Sequence, residues 1–234
     1  MMKWLNKLLS TPSTDPLATA LSSILGFTPE NTQFYHQAFC HSSIEEPKYG
    51  DNERLEFLGD SILDSVITEY LYHKLPTKDE GVLTDIRSKM VSRHTLNKLA
   101  KEFKIDEFIQ TNLGGKIPVS VFGNAFEALI AAIYLDKGEP FCRNFIISKI
   151  IKKYFSLETL EKEISSYKKH FIHWTQKTNK SFSFELQSET GESHNKSFQM
   201  ALVLEGSEIS KATASSKKKA EEATAKIACE SLKI

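Results

Sequence analysis

The sequence predicts an all-α domain followed by a small α+β domain of order α-β-β-β-α, and three observations predict it. Apolar residues recur at spacings of three and four from residue 16 to residue 155, the period of a helix with one buried face. The spacing falls to two in SFSFEL and SFQMALVLEG, the period of a half-buried strand. It returns to three and four between Lys217 and Leu232. With 234 residues and 40% apolar content, the chain has room for two modest cores, and a disordered or fibrous protein is excluded.

Taken in order, Leu17, Leu21, Ile24 and Leu25 mark a first helix, Leu55, Leu58, Ile62 and Val66 a second, and Leu96, Leu99 and Phe103 a third. Pro29, Pro47 with Gly50, Pro76, Gly81, Gly114-Gly115, Pro118 and Gly138 punctuate this region as turns. The charged, sparsely apolar SLETLEKEISS suits a short helix or linker. We therefore expect domains at 1–155 and 165–234, joined by 156–164. In the second domain, Lys169 to Lys177 reads as a helix carrying Phe171 and Trp174. Phe182, Phe184 and Leu186 alternate along one strand, and Phe198, Met200, Leu202 and Leu204 share a face of the next. Gly191 and Gly206 mark the turns, and Ala220, Ala223, Ile227 and Ala228 define the closing helix.

The longest unbroken apolar run, Ala128 to Leu135, falls far short of the roughly 20 residues a membrane helix needs. The opening MMKWLNKLLS is interrupted by Asn6 and Lys7, so a soluble chain without a signal peptide is expected. Cys40, Cys142 and Cys229 are widely separated and form no C-x-x-C pair, which indicates neither a disulfide framework nor a zinc site and suits a reducing cytoplasm. The formal net charge is zero. It conceals eleven lysines against eight glutamates from Ser165 onward, and nineteen basic against twenty-two acidic residues before it. An acidic front and a basic tail point to two tasks, with incidental surface charge as the alternative.

The acids of the front half are arranged, not scattered. Advancing 100° per residue from Glu53 puts Glu56 at about 300° and Asp60 at about 340°, while Leu55, Leu58, Ile62 and Val66 fall between about 140° and 220°. Three carboxylates thus line a face expected to lie opposite the core. Like charges at these spacings cost a helix roughly 0.2 to 0.5 kcal/mol per pair, so they ask for a cation, unless they form a solvated acidic surface. Glu127 enters a helix that is apolar on every side from Ala128 to Leu135. A carboxylate there needs a hydrogen-bond partner, a counter-ion or a metal. Asn124, one turn earlier, adds an amide oxygen, and such an all-oxygen set suits Mg2+. Glu80, in PTKDEG, is a further candidate acid. Phe57 falls at about 40° on the same wheel, where its own core does not explain it. It packs either on a neighbouring helix or in a self-association surface.

The basic tail carries a second constellation. SSKKKAEEA puts Lys217, Lys218 and Lys219 in the first turn of a helix, where the macrodipole disfavours cations by roughly 0.3 to 1 kcal/mol each. A nucleic-acid backbone supplies the reason for such placement, with a solvated lysine run as the alternative. GESHNKSF, between two strands, offers His194, Asn195 and Lys196 to 2'-hydroxyls and phosphates of a shallow groove.

NERLEFLGDSILD together with EALIAAIYLD resembles the signature of the ribonuclease III family of double-stranded RNA endonucleases. FYHQAFCHSS and LTDIRSKMVSR resemble the same endonuclease domain, over most of residues 16 to 155. GESHNKSF and SSKKKAEEA resemble a double-stranded RNA-binding domain, and the domain order resembles the bacterial form. The resemblance implies metal-site roles for Glu56, Asp60 and Glu127, with Asp60 and Glu127 catalytic, Asn124 in the metal shell, and Glu53 and Glu80 lining a catalytic valley. It implies Mg2+, replaceable by Mn2+, and a water attacking the phosphodiester in line to leave 5'-phosphate and 3'-hydroxyl ends. It also implies a cytoplasmic homodimer with Phe57 at its interface, each subunit cutting one strand, and work on ribosomal and other RNA precursors. Gln176, His194, Lys196, Lys217 and Lys218 become the expected RNA contacts.

The chain departs from the family pattern in three respects. Asn124 stands where an aspartate is usual, Ile172 and His173 replace a polar Gln-Glu pair, and Ala212 and Ala214 stand where glycines are common. A non-catalytic double-stranded RNA-binding protein is the rival reading, and an unrelated acidic-site hydrolase with an RNA module a third. Retention of Glu53, Glu56, Asp60, Glu80 and Glu127 together favours the enzyme, since a binding-only relative has little reason to keep all five.

Overall fold

The first core is built around a helix whose central run carries no polar side chain. This is α6 (Ser120–Lys137), in which Ala125, Phe126 and every residue from Ala128 to Ile133 are buried. Each fully buried Phe, Leu or Ile of that run contributes about 1.5–3 kcal/mol of transfer free energy, so the surrounding helices collect on it. They are α2 (Thr32–Ala38), α3 (Glu53–Lys74), α5 (Arg93–Glu102) and α7 (Glu139–Phe145), while α1 (Pro16–Leu25) packs on α2 and α4 (Glu80–Met90) on α3 and α5. α7 runs through a π-helical stretch, Ile146–Ile151, into α8 (Lys152–Tyr154), and α9 (Leu157–Lys162) follows. The computed structural model describes residues 15–163, 166–192 and 195–234. The opening segment, residue 164 of the expected linker and His194 therefore lie outside the described residues.

Helix starts coincide with side-chain caps: Asp15, Asn31, Asp79 and Ser92 each accept a backbone N–H of the first turn. α2 is tied to the end of α6 through Asp136, which accepts from Tyr35 Oη at 2.9 Å and from the amides of Glu30 and Asn31 at 3.1 and 2.7 Å. Among the described residues no helix is long and apolar enough to cross a membrane. All three cysteines are free and buried.

One expectation about α3 is corrected. Its buried residues are Leu55, Gly59, Leu63, Val66, Ile67 and Leu71, while Leu58 and Ile62 are only partly buried. On the same wheel the seam is rotated by about 90° from the expected one. Glu56 and Asp60 therefore border the packed face rather than oppose it. The reason is Gly59, which contributes nothing to an apolar count yet is the point at which α3 meets α6. A methyl group on it would stand 1.8 Å from the Glu127 carbonyl oxygen.

The chain divides into two compact units between Glu161 and Lys162. Leu157 and Leu160 of α9 pack on the first core, so this charged segment is a docked helix on its apolar side. The second unit comprises α10 (Tyr167–Thr178), β1 (Phe182–Thr190), β2 (Ser197–Leu204), β3 (Ser207–Ala214) and α11 (Lys217–Leu232). Its antiparallel sheet has the order β1-β2-β3, with Phe182 opposite Leu204 and Phe198 opposite Ala214. Phe171, Leu202, Leu204, Ala225, Ala228 and Cys229 form its core.

Two positions in this unit differ from the sequence pattern. Leu186 is 43% exposed, because a bulge between Leu186 and Ser188 breaks the alternation of β1. Ile227 is 42% exposed, because α11 buries Ala220, Thr224, Ala225, Ala228 and Cys229 instead. Thr224 can lie in that seam since its hydroxyl donates to the carbonyls of Ala220, at 2.7 Å, and Met200, at 3.2 Å.

Candidate active site and RNA-binding surface

The close contact at Gly59 sets the geometry of the first unit's acidic pocket. Because α3 and α6 touch backbone to backbone there, Glu56 and Asp60 of α3 share a pocket with Glu127 of α6. Glu53, Glu56, Phe57 and Asp60 of α3, and Ser120, Gly123, Asn124 and Glu127 of α6, line one pocket of about 600 Å3. Arg93, Leu96 and Asn97 of α5, with Val91 before it, close the third wall. The Asn97 side-chain oxygen accepts from the Gly123 amide at 2.8 Å, which fastens α5 to the first turn of α6.

The electrostatics follow from partial burial of like charges. Burial, then Asp60 and Glu56, push the Glu127 carboxyl up to about 8, against a smaller pull downward from Arg93. Burial also raises Glu56, while Arg93 and a hydrogen bond with Asn124 pull it the other way. Asp64, one turn beyond Asp60, is raised by burial as well, with Arg87 opposing. Its Oδ1 is buried without a hydrogen-bond partner. Among the described residues no three acidic, histidine or cysteine side chains are already drawn together around one point. Glu56, Asp60 and Glu127 are instead distributed along the pocket wall.

Of the sequence candidates, Glu53, Glu56, Asp60, Asn124, Glu127 and Phe57 meet at this pocket. Glu80 is not among its lining residues; it is the first residue of α4, exposed, and accepts from the Thr84 hydroxyl at 2.9 Å. Phe57 is 78% exposed, so of the two placements open to it, packing on a neighbouring helix of the same chain does not occur. Sequence reasoning missed Arg93, Asn97 and Asp64. Arg93 carried a usable signal, since it is the first residue of a helix capped by Ser92, where a cation is disfavoured.

In the second unit, Ser216 caps α11 by accepting from the Lys219 amide at 3.3 Å, leaving Lys217 and Lys218 exposed. Lys217 Nζ lies 5.8 Å from the centre of the Phe198 ring. Lys196 is ion-paired with Glu189 at 2.6 Å. The Lys196 ammonium, and Lys217 more weakly, hold the Glu189 carboxyl below its usual range. The β1–β2 connection and the start of α11 therefore present their lysines to a common region. Gln176 is exposed on α10, and Ile172 is half-buried on the same helix.

A helical unit with an acidic pocket between two helices, followed by a basic α-β-β-β-α unit, defines a nuclease domain coupled to a double-stranded RNA-binding domain. Residues 31–154 match the model of the Ribonuclease-III-like family, and residues 167–232 that of the double-stranded RNA binding motif. Ribonuclease 3 of Zunongwangia profunda is 43% identical over 211 residues, spanning 88% of this chain and 87% of the relative. That of Bacteroides thetaiotaomicron is 40% identical over 216 residues, spanning 90% and 70%. A crystal structure of the nuclease domain of ribonuclease III from Campylobacter jejuni superposes with a TM-score of 0.55 at 31% identity, covering 61% of this chain and 99% of that domain. The chain belongs to the ribonuclease III family. It is an endoribonuclease.

Proposed function

We propose that the chain is a Mg2+-dependent endoribonuclease of double-stranded RNA that leaves 5'-phosphate and 3'-hydroxyl ends. In this reading residues 1–155 form the endonuclease domain, 156–164 the linker and 165–234 the RNA-binding domain. The protein acts in the cytoplasm as a homodimer, each subunit cutting one strand, on ribosomal and other RNA precursors. The observation that carries the reading is the convergence of Glu56, Asp60, Asn124 and Glu127 from two helices on one pocket.

The donor set fits a hard divalent cation. All four side chains offer oxygen, and the like charges that raise Glu127 are those a cation would relieve. Glu56, Asp60, Asn124 and Glu127 would hold Mg2+, with Mn2+ able to replace it. When bound, the ion supplies Lewis acidity at the scissile phosphate and makes water a stronger nucleophile at neutral pH. The chain's own part is to bring these oxygens together and to give up the Glu127 proton as the cation enters. Glu53, exposed at the start of α3, and Glu80, on α4, add negative potential at the approach. Lys217, Lys218, Lys196, Gln176 and His194 hold the duplex, and the phosphate contacts among them are sequence-independent.

Dimerisation through Phe57 is supported by its exposure next to the pocket. A second nuclease-domain structure from Campylobacter jejuni, 33% identical with a TM-score of 0.53, shows structural flexibility in a region of that domain involved in dimer formation. The direct test is incubation of the full chain with long double-stranded RNA, with and without Mg2+, followed by end analysis. Mg2+-dependent cuts with 5'-phosphate ends are expected. Products with 5'-hydroxyl ends, or equal cleavage in a chelator, would reject the chemistry.

A further inference from the structure

Arg93 stands at the pocket for a reason the acids alone do not supply. It is the first residue of α5, exposed, and lines the acidic pocket together with Leu96 and Asn97 of the same helix. It is the one cationic side chain among the residues lining that pocket. Among the described residues it makes no ion pair, although its charge reaches both Glu56 and Glu127. A guanidinium beside carboxylates that hold Mg2+ opposes the metal by its own positive charge, and its position in the first turn of a helix is a further cost. Both costs are offset once an anion enters between the metal-holding wall and the α5 wall. A phosphodiester is such an anion, and the planar fork of arginine matches two of its oxygens at once.

We propose that Arg93 contacts a backbone phosphate of the duplex at the acidic pocket, making it a substrate-binding residue of the endonuclease unit. The proposal rests on the double-stranded RNA reading above. It also bears on Asn124. With a neutral amide in place of an aspartate at that position, and with Arg93 offsetting one carboxylate, the pocket is less negative than an all-acid shell, which lowers the barrier to bringing phosphate in.

The test compares wild type with Arg93→Gln and Arg93→Lys in the full chain, using a double-stranded RNA of fixed length. Three readouts are taken: kcat and KM at saturating Mg2+, the salt dependence of duplex binding with Ca2+ in place of Mg2+, and the Mg2+ concentration for half-maximal rate. Arg93→Gln is expected to lower kcat/KM about 10- to 100-fold. It should lower the salt slope by about one unit per engaged protomer and leave the Mg2+ midpoint unchanged or lower. Arg93→Lys should restore the salt slope and recover kcat/KM only in part, because an ammonium keeps the charge but not the fork.

Kinetics and salt slope within twofold of wild type in Arg93→Gln would overturn the proposal. So would a shifted Mg2+ midpoint with unchanged salt slope and KM, which would make Arg93 a residue that only offsets the repulsion of its acidic neighbours. A wild-type chain that binds duplex but never cleaves it would instead overturn the underlying reading. The Arg93 contact would then still be judged by the salt slope.

Discussion

Replacing Gly59 by alanine strikes at the contact that positions the acids. The new methyl carbon would stand 1.8 Å from the Glu127 carbonyl oxygen and 2.6 Å from its carbon. Non-bonded heavy atoms rest at about 3.5 Å, so α3 and α6 must part by about 1.5 Å at that level. The obstacle is backbone on a helix whose other sides are buried, so no flexible side chain can absorb the shift. Overpacking of this kind costs typically about 1–3 kcal/mol, and a backbone clash belongs at the upper end. With a urea m-value of about 2 kcal/mol/M, a loss of about 3 kcal/mol lowers the unfolding midpoint by about 1.5 M. The chemistry should suffer more than the fold, because Asp60 and Glu56 move away from Glu127 and a displacement of about 1 Å can cost about 100-fold in rate. Urea unfolding followed by circular dichroism and single-turnover cleavage of double-stranded RNA measure the two effects. Duplex binding by the second unit serves as the control that should not move. A Gly59→Ala protein with wild-type midpoint and wild-type rate would refute the claim that this contact positions the acids.

Four further outcomes are expected. Asn124→Ala should raise the Mg2+ concentration needed for half-maximal cleavage and Asn124→Asp should lower it; equal titrations for alanine and wild type would make Asn124 a bystander. Glu127 has a folded pKa of about 8 against an ordinary 4.5, so its contribution to stability in a chelator is fully present below about pH 4.5 and is lost as pH rises through 8. Thermal melting across that window should show the decline, and Glu127→Gln should make it shallower without abolishing it, because Glu56 and Asp64 are also raised; equal slopes in the two proteins would contradict the burial of this carboxyl among like charges. Phe57→Ala should shift sedimentation from dimer to monomer at micromolar concentration, since truncating such an anchor costs about 2 kcal/mol or more, and an unshifted dimer would place the interface elsewhere. Replacing Lys217 and Lys218 by alanine should weaken all duplexes alike and reduce the salt slope by about one to two units; an unchanged slope would make them solvated surface.

The second unit was legible almost element by element because its signals are local. A period of two, a period of three to four and glycines at the turns each report on neighbours in the chain. Where the pattern misled, the cause was also physical. The bulge at Leu186 inserts a residue that no alternation can announce, and Thr224 takes a place in the core that its hydroxyl would forbid without the Ala220 and Met200 carbonyls.

The acidic pocket shows the opposite case, in which the residues were legible and their arrangement was not. Glu53, Glu56, Asp60, Asn124 and Glu127 can each be picked from the sequence by type and spacing, yet the wheel placed the α3 acids opposite the core. A wheel ranks positions by the side chains they carry, so it is blind to a position that matters by carrying none. Gly59 turns the packed seam toward the acids and admits the Glu127 backbone to within contact of α3. The roles of Arg93 and Asn97 depend on α5 meeting the same pocket as α3 and α6, a relation between segments far apart in the chain, and of the two only Arg93, at the start of a capped helix, carried a local signal. Asn97 makes the point physically: an unremarkable asparagine in the sequence, it is half-buried in the fold, where its side-chain oxygen accepts from the Gly123 amide and so fixes the turn of α6 that carries Asn124 and Glu127. Removing that acceptor by Asn97→Ala would leave the Gly123 N–H without its partner and loosen the pocket from the α5 side, although no carboxylate has been touched.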